Sequence, residues 1–493
     1  MGVSLGEPGY GGGLNFKRGT FYLIVSWTVL LFTGYVLNVL LARYLGPKSY
    51  GIYGLVMSVL LWIEIVVING LPYAVQKFIS SDESRSGAIL WTAGQMQFVV
   101  SVILFGISFA LAPLIASFFK DTRLVVWFRV AFIDILVYGF FHIFSSYQNG
   151  SRHFGKQALL LIVYGLSKLG FVILFIFVIK TLTSVLLANV AGSVVGLIMG
   201  LLFLGKDIQI GVYDRLRLVR FAVPSLLYFL MLNLLLYIDL WVVNYFLGKT
   251  TGGYYVAAST IARIPYFVIF GLSATVLPTL SNKLKSGVLS EAKTTIQSSF
   301  KFFLLMALPL GIVITLFPRD IIVFIYSIVY IQSGSILPIF VWGMIFLAFF
   351  SILTTIINAD NTPHISFGIA VLTVLVDVIC NIKLVPIYGI SGGALGTTIS
   401  VGIGSLIALL YVYRRFRFLL DSKSSLRIGM AGLVLFGAIK LSQGFHLHFL
   451  LGGLIGLILY GLALLMLKVI VVEDLYNFSF FWKNNNHGSE SLK

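Results

Sequence analysis

The chain reads as an all-α, polytopic membrane protein. About 14 transmembrane helices are expected, as two pseudo-symmetric six-helix lobes in parallel repeat plus two C-terminal helices. Three observations predict this. Only 10% of the residues are charged and 59% are hydrophobic, with a mean hydropathy of +1.01; a soluble domain is about one-quarter charged. Apolar runs of roughly 20 residues, each long enough to cross a bilayer, recur along the whole length. The third observation is a repeat. Leu45-Gly46-Pro47-Lys48-Ser49-Tyr50-Gly51-Ile52-Tyr53 is echoed by Leu247-Gly248-Lys249-Thr250-Thr251-Gly252-Gly253-Tyr254-Tyr255, and Ser58 and Gly70-Leu71 match Ser259 and Gly271-Leu272.

The Gly-rich segment 1–19 is expected to be a disordered cytoplasmic tail. Residues 20–205 form the N-lobe, with spans at 20–41, 51–76, 88–118, 124–148, 157–179 and 181–204. The first run is too long for a signal-peptide core and lacks a small-residue cleavage site, so it stays as a helix. The third is longer than a bilayer requires, which implies tilt or extension beyond the membrane. Residues 206–221 are a cytoplasmic linker, and 222–413 the C-lobe, with spans at 222–246, 252–280, 299–318, 335–357, 365–388 and 389–412. Segment 321–332 is too short to span and is placed at the interface or as a re-entrant piece. Residues 414–475 carry an appended pair of spans, 428–444 and 449–472, and 476–493 form a cytoplasmic tail. The connections 206–220 and 281–298 are expected to include amphipathic surface helices.

The formal charge of +17 is read as loop asymmetry rather than nucleic-acid binding. With the N-terminus inside, 22 of the 34 basic residues fall in inner segments and seven in outer loops, which puts both termini in the cytoplasm. Every outer loop is short, so the work is done within the bilayer. Six spans separate equivalent points of the repeat, so the two copies share one orientation, as in transporters whose lobes rock about a central site. The single cysteine, Cys380, excludes a disulfide framework or a Cys-based metal site. His142, His153, His364, His446 and His448 have no metal-ligand spacing, and no metal or catalytic site is expected.

Charges inside spans are the candidate functional residues, since each costs on the order of 3 kcal/mol near the bilayer centre. The basic ones are Arg129, Lys168, Arg263, Lys383 and Lys440; the acidic ones are Glu64, Asp134, Asp239 and Asp377. Arg263 lies roughly 16 Å into its span, too deep for easy snorkelling. Pro265, two residues on, can open the helix there and act as a hinge. A guanidinium in a wet cavity suits a phosphate or diphosphate, whose oxygens its fork can grip in pairs; the alternative is a structural ion pair. Lys168 either adds a second positive charge or packs paired between helices, and Arg129 is shallow enough to snorkel. Glu64 matches the position of Pro265 in the repeat, which sets it at a height where it can pair with Arg263. Asp239, Asp134 and Asp377 either pair with cations of the protein or bind a coupling Na⁺ or proton. Asp377 and Asn381, four residues apart, share a helix face.

The motif Leu45-Gly46-x-x-x-Tyr50-Gly51-x-Tyr53 resembles that of the polysaccharide and oligosaccharide flippases, the Wzx-like proteins of the multidrug/oligosaccharidyl-lipid/polysaccharide exporter superfamily. So does Asn381-x-x-Leu384-Val385-Pro386-x-Tyr388-Gly389-Ile390-x-Gly392-Gly393-Ala394. The stretch Arg263-Ile264-Pro265 through Leu277-Pro278 is similar to the lipid II flippase branch, where an arginine at the matching position lines the central cavity. The resemblance implies V-shaped lobes around a cationic cavity and a cargo of polyprenyl-diphosphate-linked oligosaccharide. That cargo would cross the cytoplasmic membrane by alternating access, carried by a monomer among membrane lipids, with no cofactor beyond a coupling Na⁺ or H⁺. A flip makes no bond, so no enzyme motif is implied. The rival readings are an ion-coupled multidrug exporter of the same superfamily, which would need an acidic cavity, and a membrane glycan polymerase or glycosyltransferase, which would need a large outer loop.

Overall fold

The computed structural model describes residues 12–204, 211–286, 289–417 and 422–469. Among these there is no strand, and the all-α membrane fold expected from the sequence is the one found. Among the described residues twelve helices are long and apolar enough to cross a membrane, and Ile238–Leu247 is a shorter apolar one. The chain divides into two compact units. One holds the described residues up to Leu45 together with Ile52–Leu230; the other holds Gly46–Gly51 and the described residues from Met231 onward.

The first unit begins with α1 (Gly12–Asn69), which joins the first two expected spans into one helix kinked at Gly46. Gly46 has φ 72° and ψ 170°, a conformation in the left-handed half of the map that glycine adopts without a Cβ penalty. Pro47 follows and has no N–H for the helical ladder. α1 is already helical at Gly12, so residues 12–19 are not an irregular tail; residues 1–11 lie outside the described residues. Next come α2 (Leu71–Ser81), α3 (Ser86–Phe118), α4 (Leu124–Phe132), α5 (Asp134–Gly150), α6 (Phe154–Val178) and α7 (Leu182–Leu202). The fourth expected span is present as one span-length apolar helix, Leu124–Gly150, with a one-residue irregularity at Ile133 that separates α4 from α5.

α8 (Arg215–Leu234) belongs to the first unit as far as Leu230. Tyr213, Leu218 and Ala222 are buried in one apolar cluster with Leu71, Val75 and Phe78 of α2 and Ile89 of α3. The Thr92 hydroxyl also accepts from the Tyr213 amide at 2.8 Å. Packing therefore moves the division downstream of the expected 206–221 linker, to Leu230. Residues 205–210 of that linker lie outside the described residues.

The second unit contains α9 (Ile238–Leu247), α10 (Lys249–Ala262), α11 (Ile264–Lys285), α12 (Leu289–Leu316), α13 (Pro318–Tyr326), a 3₁₀ segment (Ile328–Ser335), α14 (Leu337–Ala359), α15 (Pro363–Tyr388), α16 (Ile390–Phe416), α17 (Ser422–Gly444) and α18 (Phe449–Met466). α14 is apolar all round and buried along most of its length, so it forms the core against which α11 and α16 pack. The segment too short to span is α13 with the 3₁₀ piece. In the 281–298 connection α11 and α12 simply extend, and no separate surface helix stands among the described residues. The expected 476–493 tail lies outside them.

The repeat is visible in the backbone. Gly248, the counterpart of Gly46, has φ 83° and ψ −179° and separates α9 from α10. Within the second unit the two repeated turns meet backbone to backbone: a Cβ on Gly51 would overlap the Lys249 carbonyl oxygen, and one on Gly253 the Pro47 carbonyl oxygen. Only glycine at both positions permits that reciprocal approach.

Candidate functional site

In the second unit the spans that carry Asp239 and Arg263 are discontinuous. α8 stops at Leu234 and α9 starts at Ile238; α10 stops at Ala262 and α11 starts at Ile264. Pro265 in the first turn of α11 has no N–H to continue the ladder, which accounts for the second break. Arg263 stands in that break. Its Nη2 donates to the Leu236 carbonyl in the first break, and its guanidinium lies 5.2 Å from the centre of the Tyr237 ring. Leu236 follows the last turn of α8, where carbonyls have no helical donor. Nε of Arg263 has no partner, and no described carboxylate comes within ion-pair distance of this guanidinium. The helix breaks therefore hold a positive charge by a carbonyl and a ring, without cancelling it.

Below the break lies a buried oxygen cluster. Asp239, in the first turn of α9, is fully buried; its Oδ1 accepts from the Leu240 amide at 2.7 Å and its Oδ2 from the Tyr255 hydroxyl at 2.6 Å. Asp377 and Asn381 face the same place from α15 and are also fully buried. Asp377 Oδ1 accepts from Asn381 Nδ2 at 3.0 Å and from Ser400 Oγ at 2.7 Å. Thr397, on α16, sits beside both carboxylates without a well-formed hydrogen bond to either. Three oxygens here have no partner: Asp377 Oδ2, Asn381 Oδ1 and Thr397 Oγ1. Gly396 makes room for the asparagine, since a Cβ there would sit 3.0 Å from its amide carbon.

The first unit has its own cluster. Glu64 and Asp134 are each 1% exposed and their carboxyls lie side by side; Glu64 Oε1, Asp134 Oδ1 and the neighbouring Asn189 Oδ1 have no hydrogen-bond partner. Asn189 Nδ2 donates to Asp134 Oδ2 at 2.6 Å. Lys168 lies near both carboxyls, and its Nζ reaches the Tyr164 hydroxyl at 3.5 Å. α6 and α7 pack closely at this level, where a Cβ on Gly192 would come within 2.8 Å of Lys168 Cβ. Arg129 is held elsewhere, over the Phe109 ring at 4.6 Å.

Of the residues singled out from sequence, Glu64, Asp134 and Lys168 are brought together in one unit, and Asp239, Asp377 and Asn381 in the other, with Arg263 in electrostatic reach of Asp239. Tyr255, Thr397, Ser400 and Asn189 went unmarked because they carry no charge. The signal that finds them is polar residues at helical spacing inside apolar runs, Thr397 with Ser400 and Asn189 with Ser193. Among the described residues no three His, Cys, Asp or Glu side chains gather as a set that could hold a metal ion.

Two discontinuous helix pairs with ionisable residues at the breaks define a class, the multi-pass secondary transporters whose sites lie at interrupted helices. Sequence comparison makes it particular. A model of the family described as polysaccharide biosynthesis protein matches residues 16–283, more than half of the chain, so this protein belongs to that family, within the superfamily its motifs resemble. A MatE model matches residues 224–382. Among curated relatives, an uncharacterized membrane protein of Methanocaldococcus jannaschii, MJ1068, is 24% identical over 403 residues, covering 77% of this chain and 74% of its own. Agl15 of Haloferax volcanii, a probable low-salt glycan biosynthesis flippase, is 21% identical over 385 residues, 75% of this chain and 78% of its own. Among solved structures, the lipid II flippase MurJ in an inward closed conformation superposes with a TM-score of 0.74 at 19% identity, over 93% of this chain and 99% of that one.

Proposed function

We propose that this protein is a flippase that moves a polyprenyl-diphosphate-linked oligosaccharide from the inner to the outer leaflet of the cytoplasmic membrane, by alternating access, in the assembly of cell-envelope polysaccharide. Family membership and the relative named a probable glycan flippase support the class of cargo. The observation that carries the reading is Arg263: a guanidinium at a helix break, uncancelled by any described carboxylate, with Nε unpartnered. A diphosphate supplies what that group lacks, two oxygens in one plane for its fork. Within the first unit Lys168 is a second candidate cation, with Glu64 and Asp134 beside it to balance its charge. Pro265 is the point about which α11 can tilt relative to α10.

The coupling ion is assigned to the second unit. Asp377 Oδ2, Asn381 Oδ1 and Thr397 Oγ1, together with Asp239, are the hard oxygen donors a Na⁺ takes, and three of these oxygens are buried without a partner. A bound cation would satisfy them and neutralise the carboxylates. In this reading both termini are cytoplasmic and one copy of the chain is the working unit.

The MatE match keeps a multidrug exporter as the second reading. Liposomes carrying a fluorescent lipid-linked oligosaccharide separate the two. Leaflet exchange that depends on this protein supports the flippase; no exchange, with uptake of a cationic dye driven by a Na⁺ gradient, overturns it.

A further inference from the structure

The phenol of Tyr255 is a polar group of the second unit's carboxylate cluster that the ion assignment above does not use. It is fully buried on α10 and donates to Asp239 Oδ2 at 2.6 Å. Space for it is made by Gly393 on α16, where a Cβ would sit 3.0 Å from Tyr255 Cε2 and 3.2 Å from its hydroxyl. Phe340 of α14 closes the other side, its ring centre 5.1 Å away. The charged groups that face Asp239 are Asp377 from α15 and Arg263 from the α10–α11 break.

Three partnerless oxygens are too few for a hard cation, which takes roughly six or more. The nearest anionic donor still to be recruited is Asp239, and one of its oxygens already holds the phenol proton. We infer that Tyr255 is a latch on the cation site, holding Asp239 while no cation is bound and releasing it when a cation takes that carboxylate as a ligand. This rests on reading the cluster as the coupling-ion site. Release has a consequence along the helix. Tyr255 ties α10 to α9, and α10 ends at Ala262, the residue before Arg263. A cation that frees Tyr255 frees the helix that presents the guanidinium, so ion occupancy and anion binding become linked. Tyr255 is thus a positioning residue that touches neither cargo nor the bulk phase.

The test is equilibrium binding of radiolabelled Na⁺ to the purified full chain. Tyr255→Phe removes the competing hydrogen bond, and Na⁺ affinity is expected to rise about tenfold. Unchanged or weaker affinity in that variant, with saturable binding to the wild type, overturns the latch while the ion assignment stands. If the wild type shows no saturable Na⁺ binding that Asp377→Asn abolishes, the ion assignment falls and the latch with it. Should Tyr255→Phe fail to fold, 3-fluorotyrosine at position 255 in otherwise unaltered protein gives a ¹⁹F resonance that is expected to move on Na⁺ addition; a resonance that stays fixed while Na⁺ binds overturns the latch.

Discussion

A buried oxygen without a partner costs about 1–3 kcal/mol, so a place where three gather is held against its own stability. Thr397 and Asn189 show the two sides of that rule. The Thr397 hydroxyl is unsatisfied, so Thr397→Val is expected to leave the melting temperature unchanged or raise it while weakening Na⁺ binding at least about tenfold. The Asn189 side chain is engaged through its nitrogen, which donates to Asp134 Oδ2 at 2.6 Å, while its own Oδ1 has no partner. Asn189→Leu leaves that carboxylate oxygen without its donor and is expected to cost about 1–3 kcal/mol, read by thermal unfolding in detergent. Stability lost in Thr397→Val, or none lost in Asn189→Leu, contradicts the assignment of roles. From sequence the charges of both clusters were legible, because any charge within an apolar span demands an explanation. Their neutral partners were not, because Tyr255 comes from a helix far in the chain from the one that carries Thr397 and Ser400, and hydroxyls are ordinary in membrane helices.

At the level of elements, the breaks and turns place the charges. The repeated Leu-Gly turn was legible as a motif, and its two glycines share the same left-handed backbone. What the motif could not convey is that the turns touch. Gly51→Ala and Gly253→Ala each drive a methyl into a carbonyl oxygen of the other turn, and each is expected to destabilise by about 1–3 kcal/mol, lowering the melting temperature by several degrees. Gly34→Ala and Gly94→Ala, where an added Cβ meets nothing within 4 Å, are the controls and are expected to change little. Equal melting temperatures for both pairs would show that the turns are not tightly apposed. Pro265 announced the break at Arg263, since a proline cannot continue the ladder. The irregularity at Ile133 had no such marker: neither proline nor glycine stands there, and Ile133 itself keeps helical backbone angles.

For the whole molecule, composition alone established a many-spanning membrane protein, because 10% charged residues cannot cover a soluble surface of this size. The duplication followed from the repeat. The division between units did not, since the burial of Tyr213, Leu218 and Ala222 against α2 and α3 is invisible in a linear pattern. Charge asymmetry also predicts orientation. In a Cys380→Ser background, a cysteine at Arg152 is expected to react with an impermeant maleimide only from the cytoplasmic side, and one at Lys120 only from outside. The reverse pattern would invert the account of which leaflet supplies the cargo.

The central claim is that Arg263 keeps its positive charge free for an anionic headgroup. The direct measurement is leaflet exchange of a fluorescent polyprenyl-diphosphate oligosaccharide in liposomes containing wild-type protein, Arg263→Ala or Arg263→Lys. With loss of a charge-assisted, two-pronged contact, exchange is expected to fall about 10- to 100-fold in both variants, the lysine failing because it lacks the planar fork, with folded protein recovered in each case. Wild-type rates in Arg263→Ala would contradict it.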